Sequence, residues 1–223
     1  MSNARQAGLA ALLLVAGAAA AAGTGYPGVT CDGDSDCCYV PESLAAEPVP
    51  ALVVLHCNGA VAADLDSFRL VADSLGWVLA SCHATRNRRD ALLNDGDILN
   101  TIDKLLSTQP VDAGRVFLFG YSGQGVQALL TMTMHPEVVR GVVSVCGHRG
   151  GITDGGWAAL GDNLVYLVTR EDDWNRGDNE ALARLLQARG IVSELVTTPG
   201  KHDAGPRAEL LEACRWLDLF SRY

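Results

Sequence analysis

The apolar residues of this chain fall into two kinds of run that take turns along it. Ala51 to His56 (ALVVLH), Trp77 to Ser81, Val116 to Phe119, Gly141 to Cys146, Leu164 to Thr169 and Val192 to Val196 are short and close to continuously apolar. Runs of that kind predict strands buried on both faces, because they leave no polar side to give to water. Between them the spacing changes to the helical repeat. Leu65, Phe68, Val71 and Leu75 mark a helix over Asp64 to Leu75, and Leu92, Ile98, Ile102, Leu105 and Leu106 mark one from Ala91 to Leu106, weakened by Gly96. Val126, Leu129, Leu130 and Thr133 mark a third, closed by His135-Pro136, while Asn179 to Ala188 and Ala208 to Phe220 supply two more. Strand and helix alternate throughout, which predicts an α/β fold with a mostly parallel central sheet covered by helices on both faces.

Length and composition narrow this further. With 223 residues, 48% of them hydrophobic, the chain can bury one substantial core and has little room for a second domain. Met1 to Ala22 carries one arginine, an apolar run from Leu9 to Val15 and a small-residue end, the pattern of a cleaved export signal. Residues 23 to 50, rich in Gly, Pro and acids, read as a cysteine-containing lead-in with a short edge strand at Cys37 to Val40, and 51 to 223 as the folded domain. A secreted or periplasmic monomer without a stable membrane anchor is expected. The formal charge of -9 becomes -10 when Arg5 leaves with the signal, an acidic balance that argues against nucleic acid and anionic membranes as partners. Seven cysteines lie beyond the signal. Cys31, Cys37 and Cys38 crowd one polar loop and are the foremost disulfide candidates, with connectivity open; Cys57 is placed to bridge Cys82, and Cys146 is expected to be an inert buried thiol.

The candidate chemistry sits in Arg115 to Gly125, RVFLFGYSGQG, where an apolar strand stops at a serine among glycines and a helix follows. That turn would hold the Ser122 hydroxyl clear of the sheet and aim the first helical N–H groups at charge developing beside it. A serine hydroxyl needs a base, and the base an orienting acid. Two strand-end loops offer them: Arg170-Glu171-Asp172-Asp173-Trp174-Asn175 and Thr197-Thr198-Pro199-Gly200-Lys201-His202-Asp203. Active groups of open parallel sheets gather just beyond such strand ends.

The stretch around Ser122 resembles the nucleophile elbow, G-x-S-x-G, of the α/β-hydrolases, and the chain is most similar to their compact secreted esterases, the polyhydroxybutyrate depolymerase and carboxylesterase-like branch. It departs at one position, with Gln124 where glycine is usual and Gly125 one place later. The order Ser, Asp, His is the one that family uses. The resemblance, which covers approximately residues 50 to 221, implies an α/β-hydrolase fold without a lid domain. It implies Ser122 as nucleophile, His202 as general base and Asp173 as orienter. Asp173 is preferred because Asp173-Trp174-Asn175-Arg176 carries the family's acid, aromatic, Asn-Arg pattern; Glu171 and Asp172 stay open. His56-Cys57-Asn58-Gly59 resembles the H-G-x-G segment, with Cys57 in place of glycine, which implies an oxyanion hole from the N–H groups of Gly123 and Asn58.

Tyr121, Trp157 and Trp174 are candidates for an apolar substrate wall, with core packing the rival for Trp157. Arg86, Arg88 and Arg89 lie on a further strand-end loop and are more simply solvated. Neither cofactor nor metal is expected, and the partner is a small-molecule or polymeric ester. Two other classes compete. Cys57, Cys82, His83, Cys146 and His148 lie near strand ends and would have to gather for a metal or redox site, although no metal-type spacing marks them. A catalytically silent hydrolase-fold binding protein is the other, supported by Gln124 alone.

Overall fold

A computed structural model describes residues 25–33 and 36–222, so the expected export signal lies outside the described residues. Eight strands form one sheet in the order β1-β2-β4-β3-β5-β6-β7-β8. They are β1 (Val29–Asp32), β2 (Asp36–Tyr39), β3 (Val49–Leu55), β4 (Val78–Cys82), β5 (Val111–Tyr121), β6 (Gly141–Val145), β7 (Leu164–Arg170) and β8 (Val192–Thr198). From β4 to β8 every neighbouring pair is parallel; β1 and β2 add an antiparallel margin. The helices are α1 (Ala62–Leu75), α2 (Ala91–Thr108), α3 (Gly123–Met134), the short α4 (Asp154–Ala158), α5 (Arg176–Ala188) and α6 (Arg207–Phe220). None of the described helices is long and apolar enough to cross a membrane.

The continuous apolar runs are buried on both faces, and alternate residues divide between two cores. Ala51, Val53, Leu55, Val116, Leu118, Val165 and Leu167 face one core, which α2, α3 and α5 close with Ile98, Ile102, Leu129, Met132, Leu182 and Leu186. Leu52, Val54, Phe117, Phe119, Tyr166 and Val168 face the other, which α1 and α6 close with Leu65, Val71, Leu211 and Leu217. A central strand thus drives two layers together at once. Gly96 does not interrupt α2, whose first turn is held by the Asp90 carboxylate accepting from the N–H groups of Leu92 and Leu93 at 2.9 and 3.2 Å.

Three expectations are corrected. The strand at Cys37 to Val40 is not the sheet edge, because β1 pairs outside it, with Cys31 opposite Cys37 and joined to it by a disulfide. Cys57 and Cys82 are both free thiols: Cys82 is sealed within the first core, while the Cys57 thiol donates to the Tyr121 carbonyl at 3.2 Å. Trp157 is fully buried in that core and has no surface to offer a substrate.

Candidate active site

The turn between β5 and α3 is built from close approaches that only glycine permits. A Cβ at Gly120 would lie 2.1 Å from the carbonyl oxygen of Gln124, and one at Gly125 would lie 2.6 Å from Ser144 Oγ. The contact with Gly120 is made by the backbone of Gln124, so a side chain at 124 is tolerated and Gly125 takes the packing duty. Ser122 caps α3 at φ 55° and ψ −125°, a backbone region that costs a non-glycine residue roughly 1–3 kcal/mol. What over-determines it is the Ser122 N–H donating to Val145 O at 2.8 Å, and the Ser122 carbonyl accepting from Gly125 and Val126 at 2.9 and 3.2 Å.

Ser122, His202 and Asp173 come together, although β5, β7 and β8 supply them from separate parts of the chain. Ser122 Oγ lies 2.9 Å from His202 Nε2, and His202 Nδ1 lies 2.9 Å from Asp173 Oδ1. The Asp173 side chain has no solvent exposure, whereas Glu171 and Asp172 are exposed. Burial works against the charged form of Asp173, yet the Cys146 thiol, His202 and the Asn175 N–H outweigh it and hold the carboxyl below its usual value. The imidazole is thereby supplied with an ionised partner on Nδ1, leaving Nε2 toward the hydroxyl.

Arg170, which the sequence did not single out, holds this arrangement together with Tyr121 and Asn175. Arg170, at the end of β7, is 1% exposed. Its guanidinium donates to Thr198 Oγ1, to Glu209 at 2.6 Å, and to both the carboxylate and the carbonyl of Asp203, at 3.2 and 3.3 Å. It therefore grips the histidine loop from both sides of residue 202. Tyr121 adds a bond from its hydroxyl to the His202 carbonyl at 2.8 Å, and burial first, then neighbouring acidic groups, push that phenol up to about 12, so it stays a donor. Asn175 Nδ2 donates to the carbonyls of Cys146 and Gly147 at 2.7 and 2.8 Å, fixing the acid loop to the end of β6. The only signal for Arg170 was a charge at the end of an apolar run, a pattern shared by many solvated arginines.

Gly123 and Asn58, expected to form an oxyanion hole, sit on a set of linked loops. The Cys57 thiol donates to the Tyr121 carbonyl, next to Ser122, and the Cys57 carbonyl accepts the Asn87 N–H at 2.9 Å. The Asn58 N–H donates to His56 Nδ1 at 3.3 Å, a long bond that a charged acceptor could displace. Gly123 opens α3 with the amide of Asn87 packed against it, so that a Cβ there would meet Asn87 Oδ1 at 2.5 Å. Asn87 is in turn held by Gln124 Nε2 at 3.2 Å, which gives the unusual residue of the elbow a task. Neither Asn87 nor this link was legible in the sequence.

Of the aromatic candidates, Tyr121 and Trp174 flank the imidazole, each with its ring centroid 5.2 Å from that of His202, and Trp174 is 72% exposed at the rim. Arg89 pairs with Asp97 and Asn94, while Arg86 and Arg88 are exposed. Among the described residues, the cysteine and histidine set proposed for a metal or redox site does not gather. One group among these described residues is close enough to share an ion, Cys146, Asp173 and His202, two of which are already bonded to each other. Cys146 is buried, and burial first, then the Asp173 charge, push its thiol up to about 12.

No family model matches the sequence, and no curated protein does. Solved structures do match. The S-formylglutathione hydrolase of Staphylococcus aureus superposes with a TM-score of 0.64 at 14% identity, over 83% of this chain and 89% of that one. An esterase of Pyrobaculum calidifontis gives 0.64 at 17%, over 84% and 80%. Est1E of Butyrivibrio proteoclasticus gives 0.63 at 14%, over 86% and 97%. Together with the parallel sheet, its helices on both faces and the strand-to-helix turn at Ser122, these likenesses establish that the chain has the α/β-hydrolase fold.

Proposed function

We propose that this protein is an exported serine hydrolase that cleaves carboxylic esters through an acyl-enzyme, without a cofactor. Ser122 Oγ attacks the ester carbonyl as His202 Nε2 takes its proton. The tetrahedral oxyanion is held by the N–H groups of Gly123 and Asn58. His202 then gives the proton to the departing alcohol oxygen, leaving the acyl group on Ser122. Water, deprotonated by the same imidazole, releases the acid and restores the hydroxyl. Asp173 keeps the imidazole in the required tautomer and stabilises its charged form.

The observation that carries this reading is the pair of 2.9 Å bonds linking hydroxyl, imidazole and buried carboxylate at the carboxyl ends of three strands. Further support comes from solved neighbours that are themselves an S-formylglutathione hydrolase and an esterase. Export is supported by the sequence of Met1 to Ala22 and by the Cys31–Cys37 disulfide, a bond that persists in oxidising compartments. The carboxylesterase or polyester depolymerase type rests on the motif resemblance.

The test is turnover of p-nitrophenyl esters by wild type and Ser122→Ala. Wild type is expected to turn over in the presence of a chelator, and the variant to lose on the order of 10⁴-fold or more in kcat. Chelator-sensitive turnover that survives the substitution would refute the mechanism.

A further inference from the structure

A cavity of about 350 Å³ lies between the sheet and the α1–α6 layer, at the carboxyl ends of β3, β5, β6 and β7. Most of its lining is apolar, with walls from Phe68, Phe119, Val145, Val168, Leu210 and Ala213, and the charged groups that share it have partners: Asp64 accepts from the Val61 N–H, Arg207 donates to Ser67, and Glu209 accepts from Arg170. It also borders three segments of the candidate site through residues near Asn58, Ser122 and His202 in the chain. His56 precedes the oxyanion segment, Tyr121 precedes the nucleophile, and Ala204 follows the histidine loop; all three line the cavity. Tyr121 is a shared wall, since its hydroxyl binds the His202 carbonyl and its ring stands beside the imidazole.

A space of this kind needs an occupant of matching chemistry. Apolar cavities of roughly 150 Å³ already admit a benzene ring, and this one is more than twice that size, within the lower range of small-molecule pockets. The two halves of an ester make different demands on it. The alcohol must leave before water can attack, so it is better served by an open path past the exposed Trp174. The acyl half stays bonded to Ser122 Oγ through deacylation and gains most from a dry, partly enclosed wall. Resting on the esterase reading, we propose that this cavity is the acyl site, and that the preferred substrates are esters of compact apolar acids of about six to eight carbons or a single aromatic ring. Size and hydrophobicity thus select the acid, while the exposed rim selects little among alcohols.

The experiment compares kcat/KM for p-nitrophenyl acetate, hexanoate and decanoate, and for methyl and hexyl acetate, in wild type, Ala213→Leu, which fills the cavity from α6, and Phe68→Ala, which widens it from α1. Wild type should favour hexanoate over acetate by about tenfold or more. Ala213→Leu should erase that preference by lowering hexanoate kcat/KM about tenfold or more relative to acetate, and Phe68→Ala should move the optimum toward decanoate. An unchanged acyl profile in both variants overturns the assignment, as does a wild type indifferent to acyl length. A shift confined to the two alkyl acetates overturns the choice of the acyl half. If Ala213→Leu does not fold, Phe68→Ala alone decides. Acetate turnover with no acyl preference leaves the esterase reading standing and removes the cavity's role, whereas no turnover of any ester removes both.

Discussion

Asp173 shows how much of this site is decided by the surroundings of single side chains. Three acids follow β7 in succession, and only the third is buried and bonded to His202. Its carboxyl is held below the usual 3.8 against the opposing effect of burial, because the Cys146 thiol, His202 and the Asn175 N–H favour the charged form more. The sign follows from linkage: a depressed native value contributes stability that is fully present above 3.8 and is lost as pH falls through the native value. Urea unfolding of wild type should therefore weaken more steeply on acidification below that point than unfolding of Asp173→Asn. The same substitution should lower kcat by on the order of 10³–10⁴-fold at neutral pH, since the neutral amide no longer enforces the tautomer. An Asp173→Asn enzyme with near wild-type kcat would show that another acid serves the imidazole.

At the scale of elements, the site depends on where strands stop. The central strands were legible in the sequence because their apolar runs match burial on two faces, and the elbow was legible because its glycines and serine follow directly. Residues whose role arises only from contact between distant loops were not. Arg170 and Asn87 look like ordinary polar residues until the histidine loop and the β4–α2 loop are brought within bonding distance of the site, and Asn175, marked by its place in the acid, aromatic, Asn-Arg pattern, gave no sign that it ties the acid loop to β6. Trp157 misled for the opposite reason, since an aromatic in a short connection fits a rim as well as a core, and its burial follows from α4 folding back on α3. β1 escaped because VTCD carries too little apolar character to mark a strand without its partner β2.

Arg170 tests this view at its own scale. Replacing it with methionine removes donors from Thr198, Glu209 and Asp203 together. Because Asp203 and Glu209 keep some solvent contact, the loss of stability should be modest, on the order of 1–3 kcal/mol. The larger effect should be a fall in kcat of about tenfold to a hundredfold with KM little changed, as the imidazole loses its fixed position. A variant that loses stability while kcat holds would mark Arg170 as a purely structural residue.

Over the whole molecule, the sheet separates duties between its two ends. The β1–β2 margin carries the Cys31–Cys37 disulfide, while the site sits over β5 and its neighbours β3 and β6, with the histidine loop reaching in from the far edge at β8. A bridge spanning six residues closes a short loop and should stabilise by about 2 kcal/mol. Replacing both cysteines with serine should accordingly lower Tm by roughly 4–8 °C while leaving kcat/KM unchanged. A comparable loss of activity would mean that the antiparallel margin is coupled to the site across β4 and β3.

If one hydroxyl in the chain is made nucleophilic by its neighbours, covalent trapping will single it out. The protein would be treated with an alkyl fluorophosphonate, digested, and its modified residue located by mass spectrometry, in wild type and in His202→Ala. A single phosphonyl group is expected on Ser122 in wild type, with loss of labelling in the variant. Labelling at another residue, or labelling of Ser122 that persists without His202, would contradict the roles given to these two residues.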